Sequence, residues 1–394
     1  IHIIDKSILK MYSEDIMYQK KIKENNEKKV FHYIYQKREN LSIADISSDL
    51  NISFPTIKTI INKFLKDNII KEDLKVGTGA GRKAQNYSLE NNFVYSIGIS
   101  VHLKELKIVL GNERGDIIKE TIIKENFLKN NLIEKIDEIL EEFLLEINEQ
   151  VEKKLIGIGI SVPGIVDKEN NIIEITSSLR IPLNKIQNLS QKYNKKILID
   201  NEANLCAISE KFLGLGKEFP NFIVLNIGDI LNMSTFTEED DYGNFSFKAS
   251  RINHMNINFQ GILCECGNRG CWGKYASEIA LLEKFNNLDN NITKIKDIFK
   301  NDYLINENYS NLFNEYIEYL AIGIKNIIFL YNPEKIIISG KLSKYKENFK
   351  SELLEKIYSN NIFFRGKNTI EFSNLQEKGI CLGAAMLPII DELF

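Results

Sequence analysis

The chain has 394 residues, with 51 Lys and Arg against 54 Asp and Glu for a formal charge of -3, and is 43% hydrophobic and 27% charged. That length predicts two or three domains with ample core, and the balance excludes disordered, collagenous and membrane-embedded classes. No run approaches the ~18 apolar residues of a spanning helix, so no membrane partner is expected.

At the front, Ile1–Lys10 carries Asp5 and Lys6 and has no small-residue cleavage site, so it is not expected to be a signal peptide. Ile1 stands where an initiator Met would, which predicts that the natural start lies upstream. Residues 1–90 carry 16 Lys and Arg against 12 acids, and the remainder 35 against 42. A mildly basic front on an acidic body is compatible with nucleic acid at one end.

Residues 1–23 read as a helical extension. From Glu24, Val30, Phe31, Ile34 and Tyr35 recur at helical spacing. Leu41–Leu50 predicts a short helix, Asn51–Ser53 a turn, and Phe54–Asn68 a longer helix with Ile57, Ile60, Ile61, Phe64 and Leu65 inside. Ser53 suits the N-cap and Pro55 the first turn. Two helices across a three-residue turn have the size of a helix-turn-helix. Lys71–Leu89, with Gly77–Lys83 at its middle, predicts a hairpin wing. Residues 24–90 are thus expected to bind double-stranded operator DNA as a winged helix-turn-helix. Ser53, Thr56, Lys58, Thr59 and Lys63 would face the major groove, and Arg82 and Lys83 a minor groove or phosphates. The competing reading is a helical protein-interaction domain with a solvated loop.

Residues 91–394 begin with a strand meander, Phe93–Ser100, Leu106–Leu110 and Ile117–Ile123. An amphipathic helix with Leu132, Ile133, Ile136, Ile139, Leu140 and Phe143 in register follows, then buried strands Leu155–Ser161 and Ile197–Asp200. The plan restarts at Phe222–Gly228, Met233–Phe236 and Phe245–Lys248, with helices near Ala276–Phe285 and Leu312–Tyr331 and a strand Lys335–Ser339. Two matched halves predict a bilobal α/β body. Lobe 1 is expected at about 91–204 plus the helix 380–394, and lobe 2 at about 205–379. The runner-up is one doubly wound sheet.

Gly157-Ile-Gly-Ile-Ser-Val-Pro-Gly-Ile-Val-Asp167, Asp200-Asn-Glu-Ala-Asn204, and His254 followed by Cys264-Glu-Cys-Gly-Asn-Arg-Gly-Cys271 resemble signatures of the ROK family of bacterial repressors and sugar kinases. The winged front with Gly81-Arg-Lys83 is similar to the family's repressor branch. The resemblance implies an actin-like, ribonuclease H-like duplicated body behind a DNA-binding head. The Cys and His spacing also has its own chemistry. Three thiolates and an imidazole, at His254, Cys264, Cys266 and Cys271, form the ligand set of a closed tetrahedral zinc site, and four ligands leave no open position for catalysis. The alternative is three reduced thiols in a loop. Five cysteines with three clustered argue against a secreted disulfide scaffold, so a cytoplasmic setting is expected.

Against the kinases of that family, the first phosphate turn here reads Ser100-Val-His-Leu-Lys-Glu105 and the second Asn226-Ile-Gly-Asp-Ile-Leu-Asn232. Glu202 stands at the catalytic Asp position, and the nucleotide-side Gly-Gly reads Ser339-Gly340. No ATP and no phosphoryl transfer are expected. The residues implied to line the sugar site are Ser178, Asn201, Glu202, Arg251 and His254, with Gly273 where the family has a second Glu. Arg251 points to an anionic effector, a sugar phosphate or sugar acid, over a neutral sugar. The opposing reading pairs Arg251 with Glu202 or another acid in a vestigial pocket.

The sequence therefore predicts a transcriptional regulator, a repressor of carbohydrate-related genes, acting as a homodimer or tetramer. The rivals are a ROK sugar kinase with a DNA-binding head, and a regulator governed by a protein partner.

Overall fold

The computed structural model describes residues 6–37, 40–73, 85–102, 104–127, 131–167, 169–170, 172–174, 180–239, 244–300, 303–359 and 369–393. One compact unit lies within residues 1–94, joined by residues of 238–245 and 389–394; the other lies within 95–237 and 246–388.

The first unit contains α1 (Lys6–Lys37), β1 (Leu41–Ser42), α2 (Ile43–Leu50), α3 (Phe54–Lys66), β2 (Ile70–Glu72) and β3 (Asn86–Leu89). Helix α1 runs unbroken, so the boundary expected at residue 23 falls inside it. The segment expected to be helical from Leu41 instead opens with a two-residue strand paired to β3. Ser42 then starts α2 through a reciprocal capping box with Asp45. Asn51, left-handed at φ 52°, ends α2, and Ser53 caps α3 with Pro55 in its first turn. Ile57, Ile60, Ile61 and Phe64 of α3 are buried with Val30, Phe31 and Ile34 of α1 and Ile46 of α2. Each such aliphatic burial is worth roughly 1.5–3 kcal/mol, which fixes which side of α3 stays outside. Strands β2 and β3 pair antiparallel, Ile70 against Leu89 and Glu72 against Tyr87, as the stem of a wing.

The second unit repeats one plan. Its first half has β4 (Tyr95–Val101), β5 (Leu106–Asn112), β6 (Ile117–Ile123), α4 (Leu132–Leu145), α5 (Glu149–Lys153) and β7 (Leu155–Val162). A small sheet of β8 (Ile165–Asp167), β9 (Ile172–Glu174) and β10 (Arg180–Pro182) follows, then α6 (Asn184–Tyr193), β11 (Lys196–Asn201) and α7 (Glu202–Phe212). The second half has β12 (Asn221–Ile227), β13 (Leu231–Glu238), β14 (Phe245–Ser250), α8 (Gly273–Ala276), α9 (Glu278–Asn286), α10 (Ile295–Ile298), α11 (Glu307–Tyr331), β15 (Lys335–Ser339), α12 (Lys350–Tyr358), β16 (Thr369–Phe372) and α13 (Gly379–Leu393).

The sheet orders are β11-β7-β4-β5-β6 and β14-β13-β12-β15-β16. In each, the first strand pairs antiparallel with the second and parallel with the next strand to join the sheet, β7 or β15. The fold is therefore the duplicated two-lobed body, and the single doubly wound sheet is set aside. Helix α13 lies directly on β4 and β7: a Cβ at Gly98 would come 2.3 Å from the Cys381 carbonyl oxygen, and one at Gly159 1.9 Å from that of Ala384. Only glycine permits that approach. Cys206 in α7 and Cys381 in α13 are buried, and burial pushes both thiols up to about 12, so they behave as inert core.

Candidate functional site

The loop following β14 gathers four side chains. His254 ends a 3-10 turn, Ile252–His254, and the chain then doubles back through an isolated antiparallel bridge between Leu263 and Arg269 and another between Asn256 and Cys271. Gly270 makes the fold-back possible: its φ is +74°, and a Cβ there would sit 1.6 Å from the Asn258 carbonyl oxygen. The ligand atoms of His254, Cys264, Cys266 and Cys271 all lie within 4.8 Å of one another. His254 Nδ1 is 3.6 Å from Cys264 Sγ, and Cys266 Sγ is 3.5 Å from Cys271 Sγ. A tetrahedral centre with metal–sulfur bonds of about 2.3 Å and a metal–nitrogen bond of about 2.0 Å sets such edges at roughly 3.5–3.8 Å. The cluster can hold a metal ion. Burial, with Cys266 and Cys264 alongside, pushes the Cys271 thiol up to about 12, whereas a backbone hydrogen bond from Asn268 holds Cys266 below its ordinary range. A cation is what would make thiolates at the buried Cys264 and Cys271 favourable. Trp272, next in sequence, pins the loop to the core: it is fully buried and its Nε1 donates to the Tyr319 carbonyl at 2.8 Å.

The residues implied for a sugar site are dispersed in role. Asn201 is the N-cap of α7, its side chain accepting from the Asn204 amide at 2.9 Å. Glu202 does not pair with Arg251. Its Oε1 lies 3.0 Å from His102 Nδ1, and its Oε2 accepts from Asn232 Nδ2 at 3.1 Å. Arg251 is exposed and makes no side-chain hydrogen bond or ion pair among the described residues, while its carbonyl accepts from the His254 amide at 3.0 Å. His254 Nε2 faces Asn253 Nδ2 at 3.2 Å. Ser178 lies outside the described residues.

His102 is the residue the sequence reasoning passed over. It sits in the β4–β5 turn, its amide donating to the Glu105 carbonyl. Burial works against its charge, but the hydrogen bond and charge of Glu202, with Asp229, outweigh burial and Lys341 and raise its pKa above the ordinary value. Lys341, just past β15, approaches Glu278 Oε1 at 3.2 Å. Glu278 is 4% exposed, and its other oxygen has no hydrogen-bond partner. Its pKa is raised by burial, against Lys341.

In the first unit, Lys58, Thr59 and Lys63 lie on the exposed side of α3, with Ser53 exposed at its cap and Thr56 half-buried. Ser53 Oγ and Thr56 Oγ1 hydrogen-bond at 2.8 Å, and Thr59 Oγ1 donates to the Pro55 carbonyl at 2.9 Å. Lys63 is not free: its Nζ is 2.5 Å from Glu27 Oε2 on α1. Arg82 and Lys83 lie outside the described residues. Among the described residues no helix is long and apolar enough to cross a membrane.

The ROK family profile matches residues 96–389, well over half of the sequence. The chain belongs to the ROK family. This ROK protein is 28% identical over 352 residues to the xylose repressor of Bacillus subtilis, an overlap covering 88% of this chain and 90% of that protein. It is 24% identical over 310 residues to the glucokinase of Thermotoga maritima, covering 74% of this chain and 96% of the glucokinase. Among solved structures, a ROK family transcriptional regulator described as a homologue of the E. coli MLC protein matches with a TM-score of 0.75 at 21% identity, covering 93% of this chain and 96% of that one. That likeness fixes the fold of this ROK chain from head to body.

Proposed function

We propose that this ROK protein is a DNA-binding transcriptional repressor of carbohydrate-related genes, with a structural zinc ion and no kinase activity. The observation that carries the reading is the unit ahead of residue 95. It has the order helix, strand, helix, helix and two-stranded wing, with the apolar side of α3 buried and its polar side open. The xylose repressor aligns over 88% of the chain, against 74% for the glucokinase. In the major groove, Ser53, Thr56, Lys58, Thr59 and Lys63 of the α3 region would meet base edges and phosphates, and Arg82 and Lys83 a minor groove or the neighbouring phosphates. A homodimer or tetramer would present paired heads to a palindromic operator. These assignments are tested by selecting duplexes from a random pool with the full chain, then titrating by fluorescence anisotropy between about 50 and 200 mM salt. Enriched inverted repeats and an affinity that falls steeply with salt are expected; a pool with no enrichment overturns the reading.

Zinc is favoured by three thiolates and an imidazole at near-tetrahedral spacing, held by His254, Cys264, Cys266 and Cys271. The role is structural, since the four side chains fill the coordination shell. Against phosphoryl transfer stand the side chains at the two phosphate turns. His102 and Glu202 engage each other where the family's first turn needs glycine, and Asp229 adds a like charge at the second. A coupled ADP-release assay over a sugar panel headed by D-xylose and D-glucose is expected to show no sugar-dependent turnover. The effector, a sugar, sugar phosphate or sugar acid, would meet Arg251, His254, Glu202, Asn201 and Ser178. Arg251, without a side-chain partner among the described residues, favours the anionic members. Thermal-shift screening of neutral and acidic sugars measures this, because a ligand at about 100 times its Kd raises stability by about 2.7 kcal/mol.

A further inference from the structure

The first turn of α7 is fastened to β13 by side chains alone. Glu202 accepts from Asn232 at 3.1 Å, and Asn204 Oδ1 accepts from Ser234 Oγ at 2.8 Å. Asn232 and Ser234 are two apart on one strand and so share a face. Asn204 is itself held from behind, its Nδ2 donating to Asp200 Oδ1 at 3.0 Å. On the other side of Glu202, His102 from the β4–β5 turn lies 3.0 Å away. Three segments far apart in sequence therefore meet at one carboxylate: the first hairpin turn of one sheet, the helix between the halves, and the first hairpin of the other sheet. The contacts are hydrogen bonds and one ion pair, the kind of joint whose strength depends on a proton.

We propose that this seam is a pH-sensitive clasp between the two halves of the body, in which charged His102 braces Glu202 while Glu202 and Asn204 bolt α7 to β13. The charged groups that act most strongly on His102 come from three other segments. Glu202 comes from α7, Asp229 from the turn before β13, and Lys341 from the segment after β15, with Glu105 of its own turn facing Lys341. The two carboxylates favour the imidazolium and Lys341 opposes it. Because the native pKa is raised, the brace is fully present below the ordinary imidazole value of about 6.5 and is lost as pH climbs through the higher native value. The side chains of His102 and Glu202 are 29% and 9% exposed, so protons reach the histidine while the carboxylate stays largely dry.

The test uses the metal-loaded full chain and needs no DNA, so failure of the clasp and failure of the repressor reading are separable. With four histidines in the chain, imidazole resonances can be assigned by loss in His102→Gln. His102 is expected to titrate above the ordinary value, and Glu202→Gln to lower its pKa by at least about one unit, a tenfold change in proton affinity. Amide hydrogen exchange over residues 226–234, corrected for its intrinsic pH dependence, is expected to lose about tenfold in protection between about pH 6 and 9 in the wild type. His102→Gln should show no such slope. Asn232→Ala removes a bolt but keeps the ion pair, so it should show low protection at every pH with the His102 titration retained. An unchanged slope in His102→Gln, or a wild-type His102 titrating at or below the ordinary value, overturns the clasp.

Discussion

The metal loop and the α7 seam are both built from polar side chains in the second compact unit, yet they are held in opposite ways. The loop draws its four ligands from eighteen consecutive residues, His254 to Cys271, and ties itself to a hydrophobic core through Trp272. The seam draws His102, Glu202 and Asn232 from separate elements and joins them by side-chain hydrogen bonds and one ion pair. Four ligands on one metal ion would let go only together, whereas a largely buried carboxylate held by hydrogen bonds and one ion pair loosens when a single proton leaves. The molecule thus places a fixed point and a releasable one in the same body, and a regulator needs both.

Removing the fixed point should have the largest effect. Cys271→Ser, or zinc stripping by a strong chelator, is expected to cost more than about 4 kcal/mol of stability, read as a large fall in Tm with loss of bound metal by elemental analysis. An unaltered Tm after stripping would show the loop to be ornamental. Next comes the anchor. A Cβ at Gly323 would fall 2.0 Å from the Trp272 ring, so Gly323→Ala should cost about 1–3 kcal/mol in urea unfolding. Metal content should survive that change, which separates packing from coordination.

The seam should give smaller numbers with a different dependence. Asn232→Ala and Ser234→Ala are each expected to cost about 1 kcal/mol, with the double variant less than additive because both bonds hold one helical turn. Additive losses would mean the two bonds do not act together. Smallest in stability is Glu27→Gln, which releases Lys63 from an exposed ion pair worth at most about 1 kcal/mol. Its effect belongs on DNA instead: affinity should rise, and the salt slope should steepen by about one phosphate contact. An unchanged slope would take Lys63 out of the interface.

Locality decided what the sequence could disclose. The ligand set of the loop is readable because Cys-x-Cys-x4-Cys and His254 close a short circuit. The buried side of α3 is readable because Ile57, Ile60, Ile61 and Phe64 keep helical spacing, and the two body halves because their strand runs recur in the same order. Strand β1 escaped because two residues carry no period, and only pairing with β3 makes Leu41 and Ser42 extended. The His102–Glu202 pair escaped because its members are a hundred positions apart and meet only through the topology of β4, β7 and β11. Likewise Lys63 reads as a free cation until α1 brings Glu27 beside it.

The contact of α13 with β4 and β7 also sets an order of events at the ribosome. Ser96 donates to the Ala385 carbonyl across 289 positions of chain, and the glycines at 98 and 159 leave their faces bare until that helix arrives. The helix-turn-helix and its two-stranded wing close among residues 41–89, but the lobe that bears β4 stays half-covered until α13 has been made. Nascent protein stalled short of that point would present the faces of β4 and β7 bare.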